Sequence, residues 1–137
     1  MTALLIAHAV ATLGMTGLVW FVQLVHYPLF ATAGPAAFPA YEEEHTRRTN
    51  WIVAPLWGTE TVTALALLAL DPGPLTWIGA ALIGALWVST VFVQVPCHRL
   101  LSVGWDAETH RRLVRTNWAR TVMWSARAAI ALALLAA

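Results

Sequence analysis

The sequence predicts an all-α integral membrane protein, a four-helix bundle built from two repeated helical hairpins. Three observations predict it. The chain is 59% apolar and 11% charged, with a mean hydropathy of +0.66, whereas a water-soluble domain carries about a quarter of its residues charged. Four apolar stretches are long enough to cross a bilayer, which takes about 20 helical residues. Finally, Arg-Thr-Asn-Trp occurs at Arg48-Thr49-Asn50-Trp51 and again at Arg115-Thr116-Asn117-Trp118, 67 positions on. A self-match at fixed offset is the signature of an internal repeat. At the same offset Trp57 falls on Trp124 and the run Ala64–Ala69 on Ala131–Ala136, while Phe21-Val22-Gln23 matches Phe92-Val93-Gln94 at an offset of 71. The 137 residues are expected to form one domain, with repeat one at about 1–71 and repeat two at about 72–137.

The spans follow in order. The first is expected from Ala3 to Val25, the second from Trp51 to Leu70, the third from Leu75 to Cys97 and the fourth from Trp118 to Ala137. The N-terminus lacks a basic segment and a small-residue cleavage pattern, so Met1 onward reads as a first span rather than a removable signal. Asp71-Pro72-Gly73-Pro74 is a tight turn between spans two and three. Gly34-Pro35 and Phe38-Pro39 break the chain after span one, and acids follow. Helix two is therefore expected to start near Pro39, well ahead of its apolar core. Helix four is expected to start similarly, with Asp106 as its N-cap after Gly104.

Charge sets partners and orientation. There is no lysine, and eight arginines nearly balance seven acids. A net charge of +1 gives no basic surface for a polyanion, so nucleic acid is excluded as a partner and the lipid bilayer is the expected one. The single Cys97 excludes an internal disulfide and a CxxC site. Arg47, Arg48, Arg99, Arg111, Arg112 and Arg115 all fall on the side of connections one and three, and only Asp71 on the other. By the positive-inside rule the expected setting is a bacterial inner membrane with both termini outside.

The polar residues fall on helical stripes at a period of 3.6. Helix one carries His8, Thr12, Thr16, Gln23 and His26; helix two His45, Thr49 and Glu60; helix three Trp87, Thr90, Gln94 and His98. Helix four carries His110, Asn117, Arg120, Thr121, Trp124 and Arg127. Intramembrane polar groups face a bundle interior or cavity, because lipid cannot solvate them. Under the 67-residue offset Glu60 is the counterpart of Arg127, and the two are expected to pair at mid-depth.

His26, His45, His98 and His110 gather near the arginine-rich end, with Gln23, Gln94, Asn50 and Asn117 close by. Three readings stand open: interfacial histidines, ligands of a metal or haem, or proton carriers. Imidazole suits copper, iron and zinc, and two opposed imidazoles suit haem. Glu42, Glu43 and Glu44, with Arg111 and Arg112, are expected to be solvated surface, and no His-x-x-x-His or Glu-x-x-His ligand pair is expected on any one helix. Trp57 and Trp124 are placed to line a cavity.

Gln94-Val95-Pro96-Cys97-His98, followed by Asn117-Trp118-Ala119-Arg120-Thr121, resembles a pattern in small bacterial four-span proteins grouped with the anthrone-oxygenase-like family. Gln23-Leu24-Val25-His26-Tyr27-Pro28 is its companion in the first half, and the resemblance covers mainly the second half. It implies a membrane oxidoreductase acting on an aromatic or polycyclic lipophile, with His98, Asn117 and Arg120 as candidate catalytic residues.

The expected function is a membrane-embedded oxidoreductase or oxygenase with a metal held by His26, His45, His98 and His110. Gln23, Gln94, Asn50 and Asn117 would orient these ligands. Arg120 would stabilise developing negative charge, and Trp57 and Trp124 would stack on a flat lipophilic small molecule. The alternatives are a small transporter or channel subunit, which at this length requires a homo-oligomer, and a haem-binding electron carrier.

Overall fold

The computed structural model describes residues 1–137. Four helices cross its length: α1 (Thr2–Thr32), α2 (Phe38–Leu70), α3 (Pro74–Val103) and α4 (Ala107–Ala136). With 30 to 33 residues apiece, each is roughly 45–50 Å long at 1.5 Å per residue and overreaches the ~30 Å hydrocarbon core of a bilayer. Each helix packs on its neighbours in sequence, and α4 closes on α1. The result is an up-down-up-down four-helix bundle. Its outer surface is apolar all round, with Trp51, Val62, Phe92 and Val122 among the exposed side chains. That surface is satisfied by lipid, and the chain is a membrane protein.

The helix boundaries obey local chemistry. Gly34 adopts φ 76°, the left-handed conformation that turns connection one. Pro39 follows in the first turn of α2, where its missing N–H costs nothing. Asp106 is extended and accepts the Thr109 N–H at 2.7 Å, the expected N-cap of α4. Hydrogen bonding from Thr109 holds the Asp106 carboxyl below its ordinary value. Between α2 and α3, the Gly73 N–H donates to Thr76 Oγ1 at 2.8 Å and Pro74 opens the next helix.

Both α1 and α3 run on past an internal proline, Pro28 and Pro96. The ladder widens to π geometry over Val22–His26 in α1 and Thr90–Gln94 in α3. Pro28 and Pro96 each lack a donor, and the ring collides with the carbonyl four residues earlier, Leu24 or Phe92. Each π turn contains that carbonyl, so the widening absorbs the proline without breaking the helix. It also extends α1 beyond its expected end at Val25 and carries His26 and Tyr27 on helical backbone.

Two apolar layers fill the interior. Met15, Val19, Trp57, Ile83, Leu86 and Trp124 form the central one. Val22, Tyr27, Phe30, Phe38, Cys97, Leu101 and Leu113 form the other, at the arginine-rich end. Below the central layer Arg127 donates from Nε to Glu60 Oε1 at 2.6 Å, and both side chains are buried. The expected pair across the interior is present.

Candidate functional site

At the arginine-rich end, three helices bring polar side chains into the second apolar layer. Helix α1 supplies His26 at the end of its π turn and Tyr27 just after it, α2 supplies Glu42 and His45 from its first turns, and α3 supplies His98 two residues after Pro96. Glu42 is completely buried, and Tyr27 and His45 nearly so. Glu42 Oε1 bonds His98 Nδ1. On the other side of the same ring, His98 Nε2 lies 2.9 Å from the Tyr27 hydroxyl. If Nδ1 donates to the carboxylate, Nε2 is left to accept the phenol O–H, so one carboxylate fixes both the tautomer and the aim of the imidazole. Beside this line His26 Nε2 lies 2.8 Å from His45 Nδ1, and the His45 and His98 rings are 5.6 Å apart.

Glu42 and Tyr27 are the members that the sequence did not disclose. Glu42 was expected on a solvated acidic surface, yet it alone of the three consecutive glutamates turns fully inward. It stands three residues before His45, the Glu-x-x-His spacing by which four-helix bundles present metal ligands, so one helix does carry such a pair. Its i, i+3 phase with His45 was the available signal, masked by the run of like charge around it. Tyr27 lies beside His26 in sequence, and nothing in its spacing points at His98.

The remaining expected site residues divide. His110 does not join the other three histidines: its Nε2 bonds the Tyr27 backbone oxygen at 2.7 Å. Phe30 lies between, with ring centroids 5.0 Å from His45 and 6.2 Å from His110. Asn50 is exposed and points away from the cluster, because α2 turns its Glu42–His45–Trp57 face inward. Gln23 orients no histidine; its Oε1 accepts from Asn117 Nδ2 at 2.9 Å and its Nε2 donates to the Val114 carbonyl. Gln94 donates to Thr116 Oγ1 at 3.0 Å, also away from the imidazoles.

Asn117 passes the network on, accepting from Arg120 Nη1 at 3.0 Å. The Arg120 guanidinium lies near the Tyr27 hydroxyl and 5.1 Å over the Trp124 ring, and its Nε is buried without a partner. Trp57 and Trp124 pack in the centre of the bundle. Trp57 stacks on Trp87 at 3.9 Å, and Trp124 donates from Nε1 to Glu60 Oε2 at 3.0 Å. They close the centre of the bundle beneath the cluster.

The donor chemistry of Glu42, His26 and His45, two imidazoles and one carboxylate, suits non-haem iron and is compatible with zinc. Glu42 Oε2 is buried and has no hydrogen-bond partner, as a ligand atom held ready would be. As they stand, the side chains satisfy one another pairwise, and no three of them surround a common point. A porphyrin does not fit between His26 and His45, whose facing nitrogens are 2.8 Å apart.

Fold and site together define an all-α membrane bundle with a buried carboxylate–imidazole–phenol line at its arginine-rich end. No family model, curated protein or solved structure matches the chain.

Proposed function

We propose that the protein is a membrane-embedded oxidoreductase that acts on a lipophilic aromatic substrate at the Glu42–His98–Tyr27 cluster. The observation that carries the proposal is a fully buried carboxylate, Glu42, beside the buried Tyr27 phenol and His45 imidazole, with the half-buried His26 and His98 completing the cluster. Polar groups in such a place cost several kcal/mol each unless paired, and Glu42 Oε2 is not paired. The aromatic substrate class rests on the resemblance of the His98 and Asn117–Thr121 segments to anthrone-oxygenase-like proteins.

A redox metal, iron or copper, would require Glu42, His26 and His45 to turn from their present pairwise contacts toward one point, and would supply electron transfer. His98 then acts as base rather than ligand. Glu42 holds its Nδ1, and its Nε2 takes the proton released at the Tyr27 hydroxyl or at a substrate hydroxyl in that place. Arg120, beside the same hydroxyl, stabilises the oxyanion left behind. Phe30, Phe38 and Trp105 cover the cluster toward the connections and keep bulk water from it.

We further infer that the two hairpins descend from one duplicated unit and that the arginine-rich end is cytoplasmic. The Glu60–Arg127 pair, the twin π turns and the arginine count support these inferences. The function is tested in proteoliposomes supplied with iron or copper and air, using reduced polycyclic phenols such as anthrone and following the oxidised product optically. Turnover that falls at least 100-fold in His98→Ala supports the proposal. Turnover unchanged by that substitution removes the cluster from the chemistry.

A further inference from the structure

We propose that a groove between the end of α1 and the first turns of α4 binds the headgroup of an anionic phospholipid. The groove measures about 490 Å³ and is lined by Pro28, His110, Arg111, Val114, Arg115 and Trp118. Arg111, Arg115 and Trp118 follow one another at spacings of four and three, so they share one face of α4. Along the axis Arg111 and Trp118 are roughly 10 Å apart at 1.5 Å per residue. That places guanidinium groups at phosphate level and an indole at the aromatic belt below, the depths each side chain prefers in a bilayer.

The guanidinium groups of the groove form no ion pair, although Arg111 lies near enough to Asp106 to help lower its carboxyl pKa. The ion pairs of the chain are Arg47–Glu44, Arg48–Glu44, His98–Glu42 and Arg127–Glu60. Neither Arg111 nor Arg115 takes part in one. Of the nearby acids, Asp106 already accepts from the Thr109 N–H, and Glu108 forms no ion pair. Two guanidinium groups outside any ion pair present forked donors to phosphate oxygens. The apolar wall is built as well: Trp118 is 43% exposed yet fixed by an edge contact with Trp20 at 5.8 Å, and Val114 and Pro28 continue it. An acyl chain lying along that wall, under a phosphate on the arginines, uses both halves of the groove. Basic pockets between membrane helices recognise anionic headgroups in this way.

The test is native mass spectrometry of the detergent-solubilised chain titrated with phosphatidylglycerol or phosphatidylcholine. One saturable phosphatidylglycerol is expected on the wild type, and no saturable phosphatidylcholine. Arg111→Gln with Arg115→Gln is expected to weaken that binding on the order of 30-fold, two surface charges' worth. Arg47→Gln with Arg48→Gln changes the charge equally on α2 and is expected to leave it alone. Val114→Trp fills the groove without altering charge and is expected to abolish retention, which guards against misfolding of the arginine variant. Equal losses in the two arginine variants would mean diffuse attraction and overturn the proposal. Equal binding of the two lipids would overturn it too, as would displacement by inorganic phosphate at the lipid's own concentration.

Discussion

Glu60 and Arg127 meet across the interior of the bundle, Nε to Oε1 at 2.6 Å, and they are related by the same 67 positions that separate the two Arg-Thr-Asn-Trp segments. The carboxylate's other oxygen accepts from Trp124 Nε1, and Arg127 Nη1 reaches the Gly79 carbonyl. One ion pair thereby ties α2, α3 and α4 at one level.

Removing one partner strands a buried charge. Glu60→Gln or Arg127→Gln alone is expected to destabilise the bundle by about 3–5 kcal/mol, and the double substitution by less than the sum. Unfolding of the four proteins in one detergent measures the coupling. Simple additivity would show that the pair contributes nothing as a pair.

Tyr27→Phe separates stability from chemistry. Loss of the hydroxyl from His98 Nε2 is expected to cost about 0.5–1.5 kcal/mol of stability. If the hydroxyl carries a proton in turnover, kcat falls about 100-fold or more while KM stays near its wild-type value. A change confined to KM would make Tyr27 a binding residue.

The asparagines of the two Arg-Thr-Asn-Trp segments have different surroundings, so they are expected to respond differently. Asn117→Ala leaves Gln23 Oε1 without its donor and is expected to cost about 1–3 kcal/mol. Asn50 is exposed, and Asn50→Ala is expected to stay within about 0.5 kcal/mol. Comparable costs at the two positions would contradict their assignment to interior and surface.

Much of this fold was legible because lipid imposes length and apolarity on each span, and because Asp106 and the prolines mark helix starts. Glu60–Arg127 was legible from the 67-residue self-match alone, since opposite charges at matched depth have one economical arrangement. The candidate site was less so. Glu42 sits among two other glutamates, and only its phase with His45 separates an inward carboxylate from its solvated neighbours. A fixed 3.6-residue period also misses the π turns ahead of Pro28 and Pro96, which reset the faces that carry His26, Tyr27 and His98. Asn50 misled for the opposite reason: sequence identity with Asn117 does not guarantee a shared environment, since Asn117 faces Gln23 across the interior while Asn50 lies on the outward face of α2.

The arginine distribution predicts that Gly73 faces the outside. Gly73→Cys in a Cys97→Ala background is expected to react with a membrane-impermeant maleimide added to intact cells stripped of their outer membrane. Reaction only after the cells are opened would reverse the orientation.

Metal content is the most direct test of the central claim, that the buried cluster is a redox site. The wild-type chain and Glu42→Ala, purified in detergent after loading with iron, copper, manganese or zinc, are to be assayed for bound metal and for optical and paramagnetic signatures. The account predicts close to one iron or copper per wild-type chain and its loss, by at least tenfold in affinity, in Glu42→Ala. A folded wild type that retains none of these metals, or that retains one equally well without the Glu42 carboxylate, would contradict it.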